Sequence, residues 1–571
     1  MSKQNESQAI PRGVTDTIID VRGLNVWTAG EGSPRRHIVK DVSFALQRGQ
    51  CVALVGESGS GKSVTARSLV GLAGEQLQVQ ADSLTLDGET LLDRSDGWWQ
   101  QVRGVKVGFI LQDALVSLDP LRPVGKEIAE ALSLHGWGNR TTRQQKVEAL
   151  LEEVGVPEPA FRASQRPDEL SGGLRQRALI ASAIALHPDV LIADEPTTAL
   201  DVTVQAQVLE VLRQMLDRGT SVILISHDLA VVANIADHIL VMQGGTLVES
   251  GTVEQVLQRP QHAYTQGLIN AIPSEHTKGQ RLSAGDRVVA VAQPATAANA
   301  SAEWLLDARN IVKGFKGHRA VSDVSFTLGR GETLGIVGES GSGKTTLSRI
   351  ALALVQPDSG EILFRGQPWS HASAREQRAI RRHISVVYQD PLSSFDPRWR
   401  VSQILLDAIA LGPAIPGQTA TQRALSLLAS VGLGPEHMAQ KPARLSGGQR
   451  QRVAIARAIA TQPQVIVLDE AVSALDVTIQ AQILDLLSDL QQQLGVSYLF
   501  ISHDLGVIHH MSDRVLVMQN GVAVEQGTAS EIFYRPRHPY TQKLLASLPR
   551  LQAAEFAHNS NGSLNVTRTD L

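Results

Sequence analysis

The sequence predicts an α/β fold of two tandem phosphate-loop domains, each a mixed sheet core with a helical subdomain and an extension at its carboxyl end. Three observations carry that prediction. The stretch Val55-Gly56-Glu57-Ser58-Gly59-Ser60-Gly61-Lys62-Ser63 fits G-x-x-x-x-G-K-[ST], and it lies between an apolar run, Val52–Val55, and a helical stretch, Ser63–Leu72. The same stretch returns almost letter for letter as Val337-Gly338-Glu339-Ser340-Gly341-Ser342-Gly343-Lys344-Thr345, followed by Thr346. Short apolar runs of the kind found in buried parallel strands alternate with helical segments around it.

A chain of 571 residues is too long for one core, so at least two domains are expected. Its net charge of −4 offers no basic excess for nucleic acid. The single cysteine, Cys51, stands at a strand start and reads as a small buried hydrophobe. One cysteine excludes an intrachain disulfide, a cysteine zinc cage and a cysteine-ligated iron–sulfur cluster. No apolar run is long enough to span a bilayer, and Met1–Glu6 lacks a secretory h-region. A cytoplasmic protein is expected, with any membrane role exercised through a partner.

Residues 1–16 read as a flexible N-terminus and 17–272 as the first domain. Ile18–Trp27 and Ile38–Leu46 alternate like strands. In the loop, the glycines let the backbone curl so that successive N–H groups point at phosphate oxygens. Lys62 can reach the β- and γ-phosphates, and the Ser63 hydroxyl can ligate Mg²⁺. A glycine-rich turn with a chance lysine would explain one isolated match, but not the recurrence. Helical material is inserted near residues 113–170, and Thr141–Val154 has helical periodicity.

Leu170-Ser171-Gly172-Gly173-Leu174-Arg175-Gln176-Arg177 precedes a helix, Ala178–Leu186. Backbone N–H groups and a helix dipole make Ser-Gly-Gly there a second anion site, although a single copy would pass for an ordinary N-cap. The run Val190–Ala193 ends in Asp194-Glu195. The aspartate suits Mg²⁺ and the glutamate suits a general base that polarises water. The helix Thr203–Leu216 and the strand Val222–Ile225 follow, and then His227.

The second copy keeps this order. Leu445-Ser446-Gly447-Gly448-Gln449, Asp469-Glu470 and His503 repeat the marks of the first, at nearly constant separation. Asp41-Val42-Ser43-Phe44 returns as Asp323-Val324-Ser325-Phe326, and His262-Ala263-Tyr264-Thr265-Gln266 as His538-Pro539-Tyr540-Thr541-Gln542. Residues 273–302, rich in Ala, Ser, Gln and Pro, read as a linker between the first domain and a second at 303–549. About 30 flexible residues span roughly 30 Å. Residues 550–571 read as a disordered tail.

These residues resemble the nucleotide-binding domains of ABC transporters, over nearly the whole chain. The phosphate loop, a Gln after a strand (Gln112, Gln389), Ser-Gly-Gly, Asp-Glu, Ala-Leu-Asp (Ala199–Asp201, Ala474–Asp476) and a switch histidine occur in family order, twice. The resemblance implies ATP and Mg²⁺ as cofactors. It implies Ser63, Gln112 and Asp194, with Thr345, Gln389 and Asp469, as metal ligands. It implies Glu195 and Glu470 as bases, and His227 and His503 as sensors of the γ-phosphate. Trp27 and Phe315 fall where the family stacks an aromatic on adenine, although a strand aromatic in the core would look the same in sequence. In the family each ATP lies between one domain's loop and the other's Ser-Gly-Gly. Lys62, Asp194 and Glu195 would then join Ser446, Gly447 and Gly448; Lys344, Asp469 and Glu470 would join Ser171, Gly172 and Gly173. ATP would close the domains head to tail and hydrolysis would reopen them. Two departures stand out: Leu174 replaces the commonest Gln, and Ala471 replaces the Pro196 of the first copy.

The twin endings look like the C-terminal extension of peptide and nickel importer ATPases, and the architecture is similar to the fused ATPases of bacterial glutathione or peptide importers. That likeness implies an ATPase that powers import of peptides or peptide-like solutes, with nickel or another small solute as the alternative. It implies two membrane-spanning permease subunits and a solute-binding protein as partners. It places the chain peripherally on the cytoplasmic face of the inner membrane. The permease grooves would lie near Gln112–Glu130 and Gln389–Asp407. A soluble twin ATPase acting on ribosomes is a further alternative, but those relatives carry a long charged helical linker. DNA-repair relatives need zinc cysteines that this chain lacks.

Overall fold

In the computed structural model, residues 16–28, 35–74, 76–112, 117–197, 200–274, 277–283, 304–315 and 318–547 are described. Residues 1–15, the linker stretch 284–302, Ala199, part of the first expected groove (113–116) and the tail 550–571 lie outside them. The chain divides into two compact units. The first runs to Thr265 and the second from Gln266, with Leu200–Ala206 grouped with the second.

The first unit holds two sheets. Thr17–Thr28 pairs antiparallel with His37–Gln47, Leu77–Gln80 and Ser83–Leu86. The second sheet has the order Thr246–Thr252, His238–Gln243, Cys51–Val55, Ser221–Ile225, Val190–Asp194, Val107–Ile110. All its neighbours are parallel except the edge strand Thr246–Thr252. Cys51–Val55, Val190–Asp194 and Ser221–Ile225 are buried at every position, which is why they read as unbroken apolar runs rather than alternating ones. Cys51 is buried at that strand's start, and burial pushes its thiol far above the usual range. The expected insert forms the helices Val124–Leu134 and Arg140–Glu153, the latter capped by the Asn139 side chain.

The second unit repeats both sheets. Leu306–Phe315 pairs with His318–Leu328 and Ser359–Phe364. The second sheet runs Ile384–Val387, Val465–Asp469, Ser497–Ile501, Thr333–Val337, Arg514–Gln519, Val522–Thr528. Trp369, Tyr498 and Phe500 are the largest fully buried side chains.

Three local expectations are corrected. The helix after the first loop spans Lys62–Ser68 and stops short of Leu72, because Gly71 turns with φ 62° and Leu72 N–H returns to the Arg67 carbonyl. A Cβ on Gly71 would lie 2.4 Å from the Trp99 ring, so the turn admits only glycine. The Ser-Gly-Gly glycines do not precede their helix but open it: Ser171 is the N-cap of Gly172–Ala183. Part of the stretch read as linker is packed on the second unit. There Leu282 is 3% exposed and sits in the core. Asp485, itself 4% exposed, accepts from the Leu282 and Ser283 N–H groups at 3.1 and 2.9 Å and from the Ser283 hydroxyl. Lys278 donates to the Ser512 carbonyl, and Arg281 pairs with Asp489 at 2.9 Å.

Candidate functional site

Parallel strands present all their carboxyl ends at one edge of a sheet, and that edge is where open α/β sheets bind ligands. Here Cys51–Val55, Ser221–Ile225 and Val190–Asp194 are consecutive neighbours. The phosphate loop, His227 and Asp194-Glu195 follow those three ends, so residues more than 100 positions apart in sequence meet. The second unit does the same with Thr333–Val337, Ser497–Ile501 and Val465–Asp469.

The loop conformation needs its first glycine. Gly56 and Gly338 take φ of 145° and 150°. A Cβ would fall 2.2 Å from the Met242 carbonyl oxygen in one and 2.1 Å from that of Met518 in the other. Lys62 donates its Nζ to the carbonyls of Gly56 and Glu57 at 2.7 and 2.9 Å, and Lys344 to those of Gly338 and Glu339 at 2.7 and 2.8 Å. Both ammonium groups are thus held buried over the loop. Burial lowers the Lys344 pKa against the opposing pull of Glu470.

Ser63 Oγ donates to Asp194 Oδ1 at 2.9 Å. Asp194 is fully buried, its pKa is raised by burial, and its Oδ2 has no hydrogen-bond partner. A hydroxyl beside an unpartnered buried carboxylate oxygen fits the first-coordination chemistry of Mg²⁺. In the second unit Asp469 is likewise raised by burial, but its Oδ2 accepts from Ser348 at 3.3 Å. The first copy has Ala66 at the equivalent position. Sequence reading missed Ser348, and the signal was that pair of unlike residues one turn after each loop.

Glu195 and Glu470 take φ of 51° and 50°, a left-handed conformation uncommon for a non-glycine residue. Each is pinned there by its N–H, which donates at 2.9 Å to the carbonyl of Ile225 or Ile501. Their carboxylates meet two histidines: His227 Nδ1 lies 3.4 Å from Glu195 Oε2 and His503 Nδ1 3.5 Å from Glu470 Oε2. The His503 hydrogen bond holds Glu470 below the usual range, despite burial. Burial works against the His503 imidazolium, but the bond and charge of Glu470 outweigh it and raise the pKa.

The copies differ at the strand-end glutamines. Gln112 Nε2 donates to Glu195 Oε2 at 3.0 Å, whereas Gln389 Nε2 reaches Ser473 Oγ at 3.5 Å. They differ again at Leu174. Ser446 and Gln449 form a reciprocal capping box, with Ser446 N–H donating to Gln449 Oε1 at 3.0 Å. Ser171 accepts from Leu174 N–H, and the leucine side chain has no oxygen to return the bond. The glycines flanked by these serines, Gly172 and Gly447, are exposed at their helix starts. Trp27 and Phe315 are not core aromatics. Trp27 stacks on His37 with centroids 4.6 Å apart and Arg35 over its ring, and Phe315 is 50% exposed at its strand end.

The structure adds one pair of residues to the site. Tyr264 Oη accepts from the Glu57 N–H and Tyr540 Oη from the Glu339 N–H, both at 3.0 Å.

The sequence matches the ABC transporter family over residues 39–198 and 321–473, and the oligopeptide/dipeptide transporter C-terminal region over 248–296 and 524–569. It is 44% identical over 538 residues to the glutathione import ATP-binding protein GsiA of Escherichia coli (strain K12), covering 90% of this chain and 86% of that protein. The protein of the same name from Salmonella typhimurium is 42% identical over 563 residues, covering 93% and 89%. Among solved structures, the archaeal ribosome recycling factor aABCE1, in complex with the ribosomal stalk protein aP1, superposes with a TM-score of 0.59. At 20% identity, covering 89% of this chain and 90% of that one, it bears on the fold alone.

Proposed function

Because this chain belongs to the ABC transporter family and carries two of its ATP-hydrolysing domains, we propose that it powers import of peptides or peptide-like solutes, with glutathione the foremost candidate. The observation that carries the reading is the duplicated convergence of loop lysine, buried aspartate, strained glutamate and histidine at three neighbouring strand ends. The C-terminal match and the importer relatives support uptake as the use of that ATP.

Each ATP would lie with its phosphates on the loop, Gly56–Ser63 in one copy and Gly338–Thr346 in the other. Lys62 and Lys344 would turn their ammonium groups to the β- and γ-phosphates. Ser63, Gln112 and Asp194, and Thr345, Gln389 and Asp469, would hold Mg²⁺, which when bound neutralises phosphate charge. Glu195 and Glu470 would each accept a proton from the attacking water. Their ionised state is favoured in Glu470 by its hydrogen bond to His503. His227 and His503 would sense the γ-phosphate, and Trp27 and Phe315 would stack on adenine. Among the described residues no helix is long and apolar enough to cross a membrane. As the importer relatives suggest, the chain would act on two permease subunits, fed by a solute-binding protein, from the cytoplasmic face of the inner membrane.

The test is uptake of labelled glutathione and of short peptides in cells lacking this chain. Uptake should fall and return with the wild-type chain but not with Glu195→Gln/Glu470→Gln. Unimpaired glutathione and peptide uptake, with a defect confined to nickel or another solute, would overturn the cargo.

A further inference from the structure

We propose that Tyr264 and Tyr540 are positioning residues for nucleotide binding: each ties the carboxyl extension of its copy to the first peptide of the phosphate loop. The proposal rests on the reading that these loops bind ATP. Its evidence is a chain of hydrogen bonds present in both copies. Glu249 accepts from the Gln261 and His262 N–H groups at 2.7 and 3.1 Å, and Glu525 from the Arg537 and His538 N–H groups at 2.8 and 3.1 Å. That fixes the histidine. His262 Nδ1 then accepts from Tyr264 N–H, and His538 Nδ1 from Tyr540 N–H, both at 3.2 Å. That fixes the tyrosine backbone as the helix begins. The tyrosine hydroxyl finally accepts from the loop, at 3.0 Å in both copies. Tyr540 is 7% exposed, and burial pushes its hydroxyl up to about 12, so it stays protonated and neutral.

What the hydroxyl holds matters more than that it is held. The peptide N–H of Glu57 goes to Tyr264 while the carbonyl of the same residue goes to Lys62, and Glu339 is held likewise by Tyr540 and Lys344. The residue that anchors the loop lysine is thus itself anchored by the extension. A loop must have its N–H groups aimed before phosphate arrives, and any freedom left at its entry is lost on binding. The tyrosine removes that freedom in advance at a point more than 200 residues away in sequence.

The Tyr264→Phe/Tyr540→Phe double variant of the full chain removes two hydroxyls and keeps both rings. ATP and ADP affinity should fall about three- to tenfold, as one neutral hydrogen bond per site implies. The loss should fall on KM rather than kcat, and adenosine, which lacks phosphate, should bind as it does to the wild type. Equal ATP affinity in wild type and double Phe variant would overturn the proposal. So would an equal loss for adenosine, which would reduce the tyrosines to general packing. A wild-type chain that bound no ATP would instead overturn the underlying reading.

Discussion

Replacing Glu195 and Glu470 together by glutamine should preserve ATP binding and nearly abolish hydrolysis. Glutamine has the same shape, so the backbone of each residue keeps its N–H bond to Ile225 or Ile501 at 2.9 Å and its φ near 50°. The amide can still meet His227 or His503, which lie 3.4 and 3.5 Å from the present carboxylates. What disappears is the basic oxygen. Loss of a general base costs about 10²–10⁴ in rate, or roughly 2.7–5.5 kcal/mol of transition-state stabilisation. A single variant keeps one base, so its rate falls to roughly half if the two act independently and nearer the double variant's 10²–10⁴ deficit if they act in obligatory alternation. Phosphate release gives the rates, and a fluorescent ATP analogue gives the affinities. A double variant that turned over like the wild type would remove both glutamates from the chemistry.

The Glu470–His503 pair should make stability depend on pH in a defined direction. Glu470 is depressed from its ordinary 4.5, so its contribution is full above 4.5 and lost as pH falls through the lower folded value. His503 is raised from 6.5, so its contribution is full below 6.5 and lost as pH rises through the higher folded value. The difference in Tm between wild type and His503→Ala should be widest between 4.5 and 6.5 and narrow on either side; a difference flat in pH would refute the coupling. Gly338→Ala should cut ATP stoichiometry from two to one by calorimetry, because its methyl would lie 2.1 Å from the Met518 carbonyl at a φ of 150°. Two full-affinity sites in that variant would mean that the loop tolerates a different path.

The sequence made the frame legible because local rules governed it. Fully buried strands left unbroken apolar runs, and the loop left its glycines and lysine in a fixed pattern. Recurrence then separated meaningful residues from chance. What stayed hidden depends on pairs far apart in the chain. Trp99, on a different helix, packs where a Cβ on Gly71 would fall, and nothing near Gly71 in the sequence announces that contact. The left-handed φ of Glu195 comes from a neighbouring strand that holds its N–H, and nothing in Asp-Glu announces it. The tyrosine bonds to the loops join segments 207 and 201 positions apart. Ser348 supplies a hydroxyl to Asp469 where Ala66 supplies none, so near-identity of the motifs conceals unlike surroundings for the two aspartates.

The seating of Leu282 and Ser283 on Asp485 gives the chain an order of assembly. These residues emerge from the ribosome before any of the second copy, yet their partner lies 203 and 202 positions later. At roughly 5–20 residues per second, about 10–40 seconds of synthesis separates the two. The helix Val477–Leu494 that carries Asp485 must also fold before the contact can close. The core of the second unit thus includes a piece of chain made ahead of most of it, and a polypeptide started at residue 303 would leave that carboxylate buried without its three donors. Leaving such a group unsatisfied costs on the order of several kcal/mol. Translation thus delivers Leu282 and Ser283 before the helix that receives them, and the contact closes only once Val477–Leu494 has been made.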